Sequence, residues 1–339
     1  MSIKRKLTGI IAGLIGSASI AQAEAEHTLV ISSWVPPTHM INTEILTGLN
    51  TLIEEATDGR VTTEIRMGIA PPPAQMDLVL DGAADIAYVF HGYQPGRFTG
   101  YKLVELPRLE ASSEDVSAAY WNLHENHLSK LNEHRGVKVV GLMVHGPGQL
   151  HTGSPVDSLD QMSGLKLRMP GGVASDVGAL LNATGIKVPA PKVYETLASN
   201  AADGVMMVTE SRKSFRLTEV APHYYTVPGG FFRGSFAFIM NEDIFADLPD
   251  DLQAALNEKV FGAPLSSMSG KAWDAADVEA LALTAATEGN TSVEASTEDL
   301  AKFDTIAAQV ETSVLDEVSA KGIDAQAALA DFRAELGLQ

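Results

Sequence analysis

The chain has 339 residues, of which 45% are hydrophobic, and it carries a formal net charge of −19 with no cysteine. The negative charge argues against nucleic acid and anionic membrane surfaces as partners. The missing cysteines exclude disulfides, thiolate metal sites and a cysteine nucleophile. A chain of this length and hydrophobic content is sufficient for two domains.

The N-terminus has the pattern of a secretory signal peptide. Basic residues at positions 4–6 precede an apolar run from Leu7 to Ile20, and Ala21-Gln22-Ala23 supplies an A-x-A cleavage site. The apolar run is short and rich in small residues, which disfavours a retained membrane anchor. We therefore predict a signal peptide over 1–23 and a periplasmic mature protein, whose formal charge becomes −22 once three positive charges are removed.

The first half of the mature chain alternates between strands and helices. Short alternating or apolar runs predict strands, and apolar spacing of three and four residues predicts helices. In chain order the pattern predicts strand, helix, strand, helix and strand over residues 28–33, 41–56, 61–67, 71–81 and 85–90. This order implies a parallel sheet with right-handed crossovers.

The second half shows the same alternation of strands and helices, so we predict two similar α/β lobes. Further strands are predicted over 137–144, 150–152, 164–169, 187–190, 204–208, 235–241 and 291–295. Helices are predicted over 174–184, 194–200, 250–260, 266–288 and 299–338, the last with a break near Gly322. Because no low-complexity linker separates the lobes, crossing strands are expected to join them.

The segment from Gly164 to Gly172 is the most informative single stretch. It reads as a short strand followed by a tight Gly-Gly turn and a helix, which places Arg168 at the carboxyl end of a strand. Ligands bind at such ends in open α/β sheets, and the arginine fork matches a carboxylate or phosphate. On this segment alone, a surface or salt-bridged structural arginine explains the pattern equally well.

Other polar, aromatic and methionine side chains also follow predicted strands. Each one alone is more readily explained by packing, but together they would line a cleft between two lobes. These candidate ligand-binding residues are Trp34, His39, Phe90, Tyr93, Gln149, His151, Met169, Met207, Glu210 and Phe232.

The motifs of catalysis, metal binding and nucleotide binding are missing. The nine histidines form no H-x-x-x-H or H-x-x-E-H motif, and His124 with His127 is expected on an exposed helix. The chain also has no G-x-S-x-G, P-loop or G-x-G-x-x-G. We therefore predict a binding protein with no catalytic residue, no metal and no cofactor.

The mature chain resembles the solute-binding proteins of TRAP transporters, the dicarboxylate-receptor superfamily. The Gly164–Gly172 stretch carries the resemblance together with the signal peptide and the Asp203-Gly204 strand with Glu210 beyond it. Also similar are residues 159–164, Met240-Asn241 and Leu248-Pro249.

The resemblance implies two lobes with a mixed sheet in each, a central cleft closed by a hinge motion and a long helix that spans both lobes. The boundaries that follow are 27–146 plus 234–265 for lobe I, 147–233 plus 290–339 for lobe II and 266–289 for the connecting helix. It also implies that Arg168 pairs with the carboxylate of a small organic acid, which the receptor delivers to TRAP membrane subunits. We expect a monomer.

Two departures from the family pattern bear on the ligand. Receptors for sialic acid or C4-dicarboxylates have a polar residue, often Asn, near the position of Met207, whereas residues 205–208 here are Val-Met-Met-Val. Dicarboxylate receptors usually have a second cation before the arginine strand, where this chain has Gln149 and His151. These differences favour a monocarboxylate with an apolar or aromatic body. An ABC-type receptor, a sensor-linked receptor and a secreted enzyme stay open as alternatives.

Overall fold

The computed structural model describes residues 25–338, so the signal peptide predicted over 1–23 lies outside the described residues. Two β-sheets with helices packed against them form this part of the chain, and each sheet mixes parallel with antiparallel strands. The fold is therefore of the predicted two-lobe α/β class; lobe I is built on the first sheet and lobe II on the second. Within residues 25–338, no helix has both the length and the apolar composition needed to cross a bilayer.

The strands follow the predicted order closely. Those over 61–67, 137–144, 204–208 and 235–241 have the predicted bounds. The extended piece predicted over 187–190 is not a strand; the strand in this region lies earlier, at Thr184–Ile186. The strands are β1 (His27–Ser33), β2 (Val61–Met67), β3 (Ile86–Phe90), β4 (Val137–Val144), β5 (Gly148–Thr152), β6 (Lys166–Arg168), β7 (Thr184–Ile186), β8 (Gly204–Val208), β9 (His223–Thr226), β10 (Ser235–Asn241) and β11 (Thr291–Glu294).

The first sheet has the order β2-β1-β3-β10-β4, and the second has the order β11-β9-β5-β8-β6-β7. In the first sheet β1, β2 and β3 are parallel, as the alternation of strands and helices predicts. Strand β10 lies antiparallel between β3 and β4. Its first six residues are all buried, as expected for a central strand covered on both faces. The chain thus returns from the second sheet to complete the first.

The helices are α1 (Thr47–Ala56), α2 (Gln75–Leu80), α3 (Ser113–Asn126), α4 (Val173–Leu180), α5 (Val193–Ala198), α6 (Ser211–Ser214), α7 (Leu217–Val220), α8 (Glu242–Ala246), α9 (Asp250–Lys259), α10 (Ala263–Ala286), α11 (Thr297–Ser319) and α12 (Ala325–Glu335).

Three helical predictions differ from the structure. The helix predicted from residue 41 begins with a π-helical turn over Ile41–Leu46, and α1 follows it. The helix predicted to reach residue 184 ends at Leu180, because Asn182 has a left-handed φ of 55°. His124 lies on α3 but is buried rather than exposed, and its Nδ1 lies 2.9 Å from the Tyr101 hydroxyl.

The long helix α10 contacts both lobes. It packs against α3 and β4 on one side and against α6 on the other. A side chain at Gly270 would collide with the backbone oxygen of Ser113, so only glycine allows this approach of α10 to α3. One turn further on, the Asp274 carboxylate accepts the backbone N–H groups of Ser113 and Glu114, at 2.8 and 3.0 Å. These contacts fix α10 to the start of α3.

The last two helices, which the predicted boundary 290–339 assigns to lobe II, contact different parts of the molecule. Helix α11 packs on α4 of lobe II, whereas α12 packs on α3 of lobe I. Asp331 on α12 lies 2.9 Å from Nε2 of His127, just beyond α3. The C-terminal helix therefore contacts α3 of lobe I as well as α11, and the boundary at 290–339 stays a prediction.

The two lobes also touch through a buried carboxylate. One oxygen of Glu105, in lobe I, accepts the backbone N–H of Val173 at 3.1 Å, at the start of α4 in lobe II. The other oxygen accepts the hydroxyl of Ser235 at 2.7 Å. Gly172 has a φ of 57°, and a side chain there would collide with Glu105. This hydrogen bond holds the lobes together at one edge of the cleft.

Candidate functional site

The cleft between the lobes contains a small cavity at the carboxyl ends of β1, β3, β6 and β8, where α/β sheets usually bind ligands. The cavity has a volume of about 40 Å³, so it has room for more than one water molecule. Eight predicted site residues line it: Trp34, His39, Phe90, Tyr93, Arg168, Met207, Glu210 and Phe232.

Arg168 ends β6 on the cavity wall and is only 1% exposed. Its Nε donates to the carbonyl of Val188 at 2.8 Å, and its Nη2 donates to the hydroxyl of Tyr93 at 3.1 Å. Neither acceptor carries a charge. Among residues 25–338, no Asp or Glu pairs with this guanidinium, and its Nη1 has no hydrogen-bond partner. Arg168 is therefore a buried cation without a counter-ion from the described chain.

A second buried arginine, Arg212, also has no acidic partner among residues 25–338, but its N–H groups are more fully used. Arg212 uses its N–H groups in five hydrogen bonds to neutral acceptors and stacks over Tyr224. It is a satisfied structural arginine that does not line the cavity. Burial lowers the pKa of Arg168, but an arginine stays protonated at neutral pH. An unpaired buried charge is costly, so the Arg168 site favours an anion.

Phe, Tyr and Trp side chains supply seven of the other eighteen residues that line the cavity. The ring of Phe90 is tilted against that of Tyr93 and meets that of Phe236 edge to face, with ring centroids 4.7 and 4.9 Å away. Trp273 of α10 lies 6.1 Å from the ring of Phe236. Trp34 lies 6.0 Å from Tyr93 in an edge-to-face arrangement. Such a wall offers ring-to-ring contacts to a flat apolar group.

The histidines of the wall are uncharged. Burial lowers the pKa of His39 to about 3 and that of His145 to about 4. Both side chains are therefore neutral at the pH of a cell or its periplasm. Among the described residues that line the cavity, Arg168 is the only permanent positive charge. One fixed cation in the cavity matches one carboxylate on a ligand.

Glu210 follows β8 and faces His39, whose Nε2 lies 3.6 Å from its Oε2. This distance is longer than a hydrogen bond. Burial raises the pKa of Glu210 to about 7 and the pKa of Asp277, on α10, to about 8. Asp277 accepts the backbone N–H of Glu210 at 2.7 Å. Glu210 on the wall and Asp277 next to it, outside the lining, thus both hold protons near neutral pH.

Three predicted site residues lie outside the cavity wall. Gln149 exchanges hydrogen bonds with the backbone of Val227, at 3.0 and 2.9 Å, inside lobe II. His151 hydrogen-bonds the carbonyl of Met207 at 3.0 Å and contacts Arg212. Met169 points away from the cavity and packs over Gly178 on α4. All three are occupied by contacts that stabilise lobe II.

Several lining residues were not predicted. Ser211 and Phe215 come from the segment after Glu210, where the sequence shows only a short polar helix. His145 follows β4 in a Gly/Pro-rich exit. Trp273 lies on the long helix, far from any strand end, so the strand-end rule could not find it. Within residues 25–338, no group of His, Asp and Glu side chains has the arrangement to hold a metal ion.

A cavity between two α/β lobes, lined in part by aromatic rings and by an arginine without an acidic partner, has the features of a small-molecule binding site. The family model described as "Bacterial extracellular solute-binding protein, family 7" (DctP) matches residues 31–317. The chain therefore belongs to this family, and its relatives of known structure are receptors of TRAP transporters.

Three relatives illustrate the similarity. A TRAP periplasmic solute-binding protein from Bordetella bronchiseptica, with bound (R)- and (S)-mandelate, is 38% identical, with a TM-score of 0.88 over 91% of this chain and 98% of that chain. A marine metagenome TRAP solute-binding protein specific for aromatic acid ligands, with 3-hydroxybenzoate, is 26% identical, with a TM-score of 0.85 over 93% and 99%. A protein of Comamonas testosteroni described as outer membrane transporter protein TsaT is 26% identical over 99% of this chain and 98% of its own length.

Proposed function

We propose that this protein is a periplasmic receptor that binds a monocarboxylate with an aromatic body and delivers it to a TRAP-type membrane permease. One observation carries the proposal: Arg168 is a buried cation with no acidic partner among residues 25–338, on the wall of a cavity whose lining includes seven Phe, Tyr and Trp side chains. The N-terminal pattern of residues 1–23 supports export to the periplasm. The aromatic acids bound by two relatives agree with this ligand class.

In this proposal Arg168 takes the ligand carboxylate with its open Nη1 and shares Nη2 with Tyr93. A charge-assisted bidentate pair is shorter and stronger than a neutral hydrogen bond. The ring of the ligand is sandwiched by the aromatic wall, and its burial supplies the larger part of the affinity. A second carboxylate would find no further cation and would lie near Glu210. The site therefore disfavours dicarboxylates.

Closure of the two lobes completes the site. Tyr93 comes from lobe I and Arg168 from lobe II, so their hydrogen bond exists only when the lobes are together. The contacts of His39 with Glu210 and of Glu105 with Val173 depend on closure in the same way. A ligand that bridges both walls therefore shifts the population toward the closed form. We propose that this form, as a monomer, docks on the permease and releases the acid chemically unchanged.

The test is to identify the ligand directly. Protein purified without added acids is denatured, and the released small molecules are analysed by mass spectrometry. Refolded, ligand-free protein is then screened by thermal shift with benzoate, mandelate, succinate and malate. We expect an aromatic monocarboxylate in the first experiment and stabilisation by the aromatic acids alone in the second. Stabilisation by succinate or malate, without any effect of the aromatic acids, would refute the proposed ligand class.

A further inference from the structure

The hydroxyl group of Tyr93 carries a hydrogen that no described residue accepts. Its oxygen accepts two N–H groups, one from Nη2 of Arg168 at 3.1 Å and one from the backbone of Ala190 at 2.8 Å. An arginine N–H and a backbone N–H can only donate, so the phenol is the acceptor in both hydrogen bonds. The phenol hydrogen is therefore directed elsewhere, and it has no acceptor among residues 25–338.

The side chain of Tyr93 separates two cavities of the cleft. It lines the ligand cavity together with Arg168 and Ala190. It also lines an outer cavity of about 360 Å³, whose lining includes neither of these two residues. Both groups that fix the position of the Tyr93 oxygen therefore belong to the wall of the ligand cavity.

One segment of lobe II holds the guanidinium and the phenol side by side. The carbonyl of Val188 accepts Nε of Arg168 at 2.8 Å, and two residues later the N–H of Ala190 donates to Tyr93. The ring of Tyr93 is held from the other side, in lobe I, against the ring of Phe90 with centroids 4.7 Å apart. The two polar groups are thus fixed before a ligand arrives.

A carboxylate bound to Arg168 lies next to the Tyr93 hydroxyl. Nη1 of Arg168 has no partner in the described part of the chain, but it keeps surface that solvent can reach. Nη1 and Nη2 belong to one planar guanidinium, and a carboxylate matches the spacing of its N–H groups. Because the phenol oxygen is 3.1 Å from Nη2, a carboxylate at this edge of the guanidinium is adjacent to the phenol.

The hydrogen-bonding groups left free at this place are all donors. They are the N–H groups of Arg168 Nη1 and the O–H of Tyr93. An ionised carboxylate only accepts, so it can pair with both. A carboxamide would bring its own N–H groups against them, and an ammonium group has no acceptor at all. Because a buried donor without an acceptor is costly, the pair of donors favours a carboxylate.

We propose that Tyr93 donates its phenol hydrogen to the ligand carboxylate, so that the same carboxylate is bound by Tyr93 from lobe I and by Arg168 from lobe II. The inference rests on the proposed function, because it adds a second contact to the carboxylate that Arg168 takes. The carboxylate, rather than the body of the ligand alone, then bridges the lobes. Binding of this group is thereby coupled directly to closure.

The first test is calorimetric titration of ligand-free protein with benzoate, phenylacetate and mandelate. Tyr93→Phe keeps the ring and removes the hydroxyl. We expect an affinity loss of about 10- to 150-fold, the range for a hydrogen bond to a charged group. The loss should be similar for the three acids, because they share the carboxylate and differ in the rest of the molecule.

The second test determines the direction of the hydrogen bond. Tyr93→Phe also removes the acceptor of the Arg168 and Ala190 N–H groups, so it does not separate the two roles of the phenol. Replacement of Tyr93 by 3-fluorotyrosine does, because a ring fluorine makes the phenol a stronger donor and a weaker acceptor. At pH 6, where this phenol stays protonated, donation to the carboxylate predicts binding about twofold tighter than in the wild type. A phenol that only accepts predicts weaker binding.

Two comparisons control for the fluorine itself. Phenylalanine and 3-fluorophenylalanine at position 93 differ by the fluorine but carry no hydroxyl, and they should bind the acids equally. Replacement of Tyr194 by 3-fluorotyrosine is the positional control, because its hydroxyl donates to Glu219 at 3.0 Å and it does not line the cavity. Thermal unfolding of each variant without ligand confirms that it folds.

The outcomes separate the two proposals. If no aromatic acid binds the wild-type protein, the proposed function fails and the inference fails with it. If the acids bind but Tyr93→Phe stays within threefold of the wild type, only the inference is overturned. Unchanged or weaker binding with 3-fluorotyrosine at position 93 also overturns it, and so does a loss in Tyr93→Phe that is confined to one of the three acids.

Discussion

The replacement of Arg168 by Met tests the central contact of the proposed site. Methionine has a similar length and no charge, so the change removes the cation while the wall stays filled. The ligand carboxylate would then be buried without a partner. Truncating one member of a buried, hydrogen-bonded charge pair costs about 2–5 kcal/mol, which corresponds to a roughly 30- to 5,000-fold loss of affinity.

The stability of the ligand-free protein should respond much less. Arg168 makes only two hydrogen bonds, both to neutral acceptors, and its burial without a counter-ion is itself unfavourable. We therefore expect the unfolding temperature without ligand to change by only a few degrees. Arg212→Met is the informative comparison, because it removes five hydrogen bonds outside the cavity and should lower stability strongly.

The assay is calorimetric titration with the aromatic acid that binds the wild-type protein best, accompanied by thermal unfolding. Arg168→Lys should retain part of the affinity, since it keeps the charge but loses the planar fork. Arg66→Met, at an exposed position on β2, is the binding control and should behave like the wild type. Affinity within threefold of the wild type for Arg168→Met would refute the assignment of the carboxylate to this arginine.

Three further predictions concern closure, packing and pH. Gly172→Ala should weaken ligand binding, because a methyl group there displaces Glu105 from its hydrogen bond between the lobes; titration measures the loss, and an unchanged affinity would show that this contact is dispensable. Gly270→Ala should lower the free energy of unfolding by about 1–3 kcal/mol through overpacking against α3, in contrast to Lys271→Ala on the exposed face. Stability should fall between pH 6.5 and 4, because buried histidines with lowered pKa values bind protons only in the unfolded state. At pH 5 each of these histidines lowers the free energy of unfolding by about 2 kcal/mol. The raised pKa values of the Glu210 and Asp277 carboxyls oppose this loss in part. Denaturant titrations at pH 7, 6 and 5 that show no fall in the free energy of unfolding would contradict this prediction. The histidines with a pKa of about 3 are His39, His91 and His151.

Local patterns predicted the strands and one wall of the site well. The alternation of apolar residues predicts β2, β4, β8 and β10 with their bounds, because each strand is short and is ended by turn residues. Arg168, Phe90 and Glu210 stand at strand ends, so the rule for ligand sites in α/β sheets places them together. This rule depends only on chain order and strand direction.

The remaining site depends on distant contacts that no local pattern contains. Gln149 lies at the amino end of β5, whereas Arg168 lies at the carboxyl end of β6, and its partner is the backbone of Val227, 78 positions along the chain. Trp273 enters the cavity because Gly270 lets α10 approach α3, and the alanine-rich sequence of α10 shows no distinct apolar face. Likewise, the buried apolar face of α12 can be read from its spacing, but the pattern does not name α3 as the surface on which it packs.

Helix α12 lies on lobe I, and so does β1 near the start of the described chain. Within residues 25–338, lobe II is therefore entered and left through internal segments, among them α10 and the turn between β4 and β5. Because several such segments connect the two lobes, we expect the lobes to move relative to each other mainly by rotation about the line that joins the connections. A fluorophore fused after α12 would move with lobe I. A measurement of closure from the distance between two labels therefore needs its second label in lobe II, for example at the exposed Lys213.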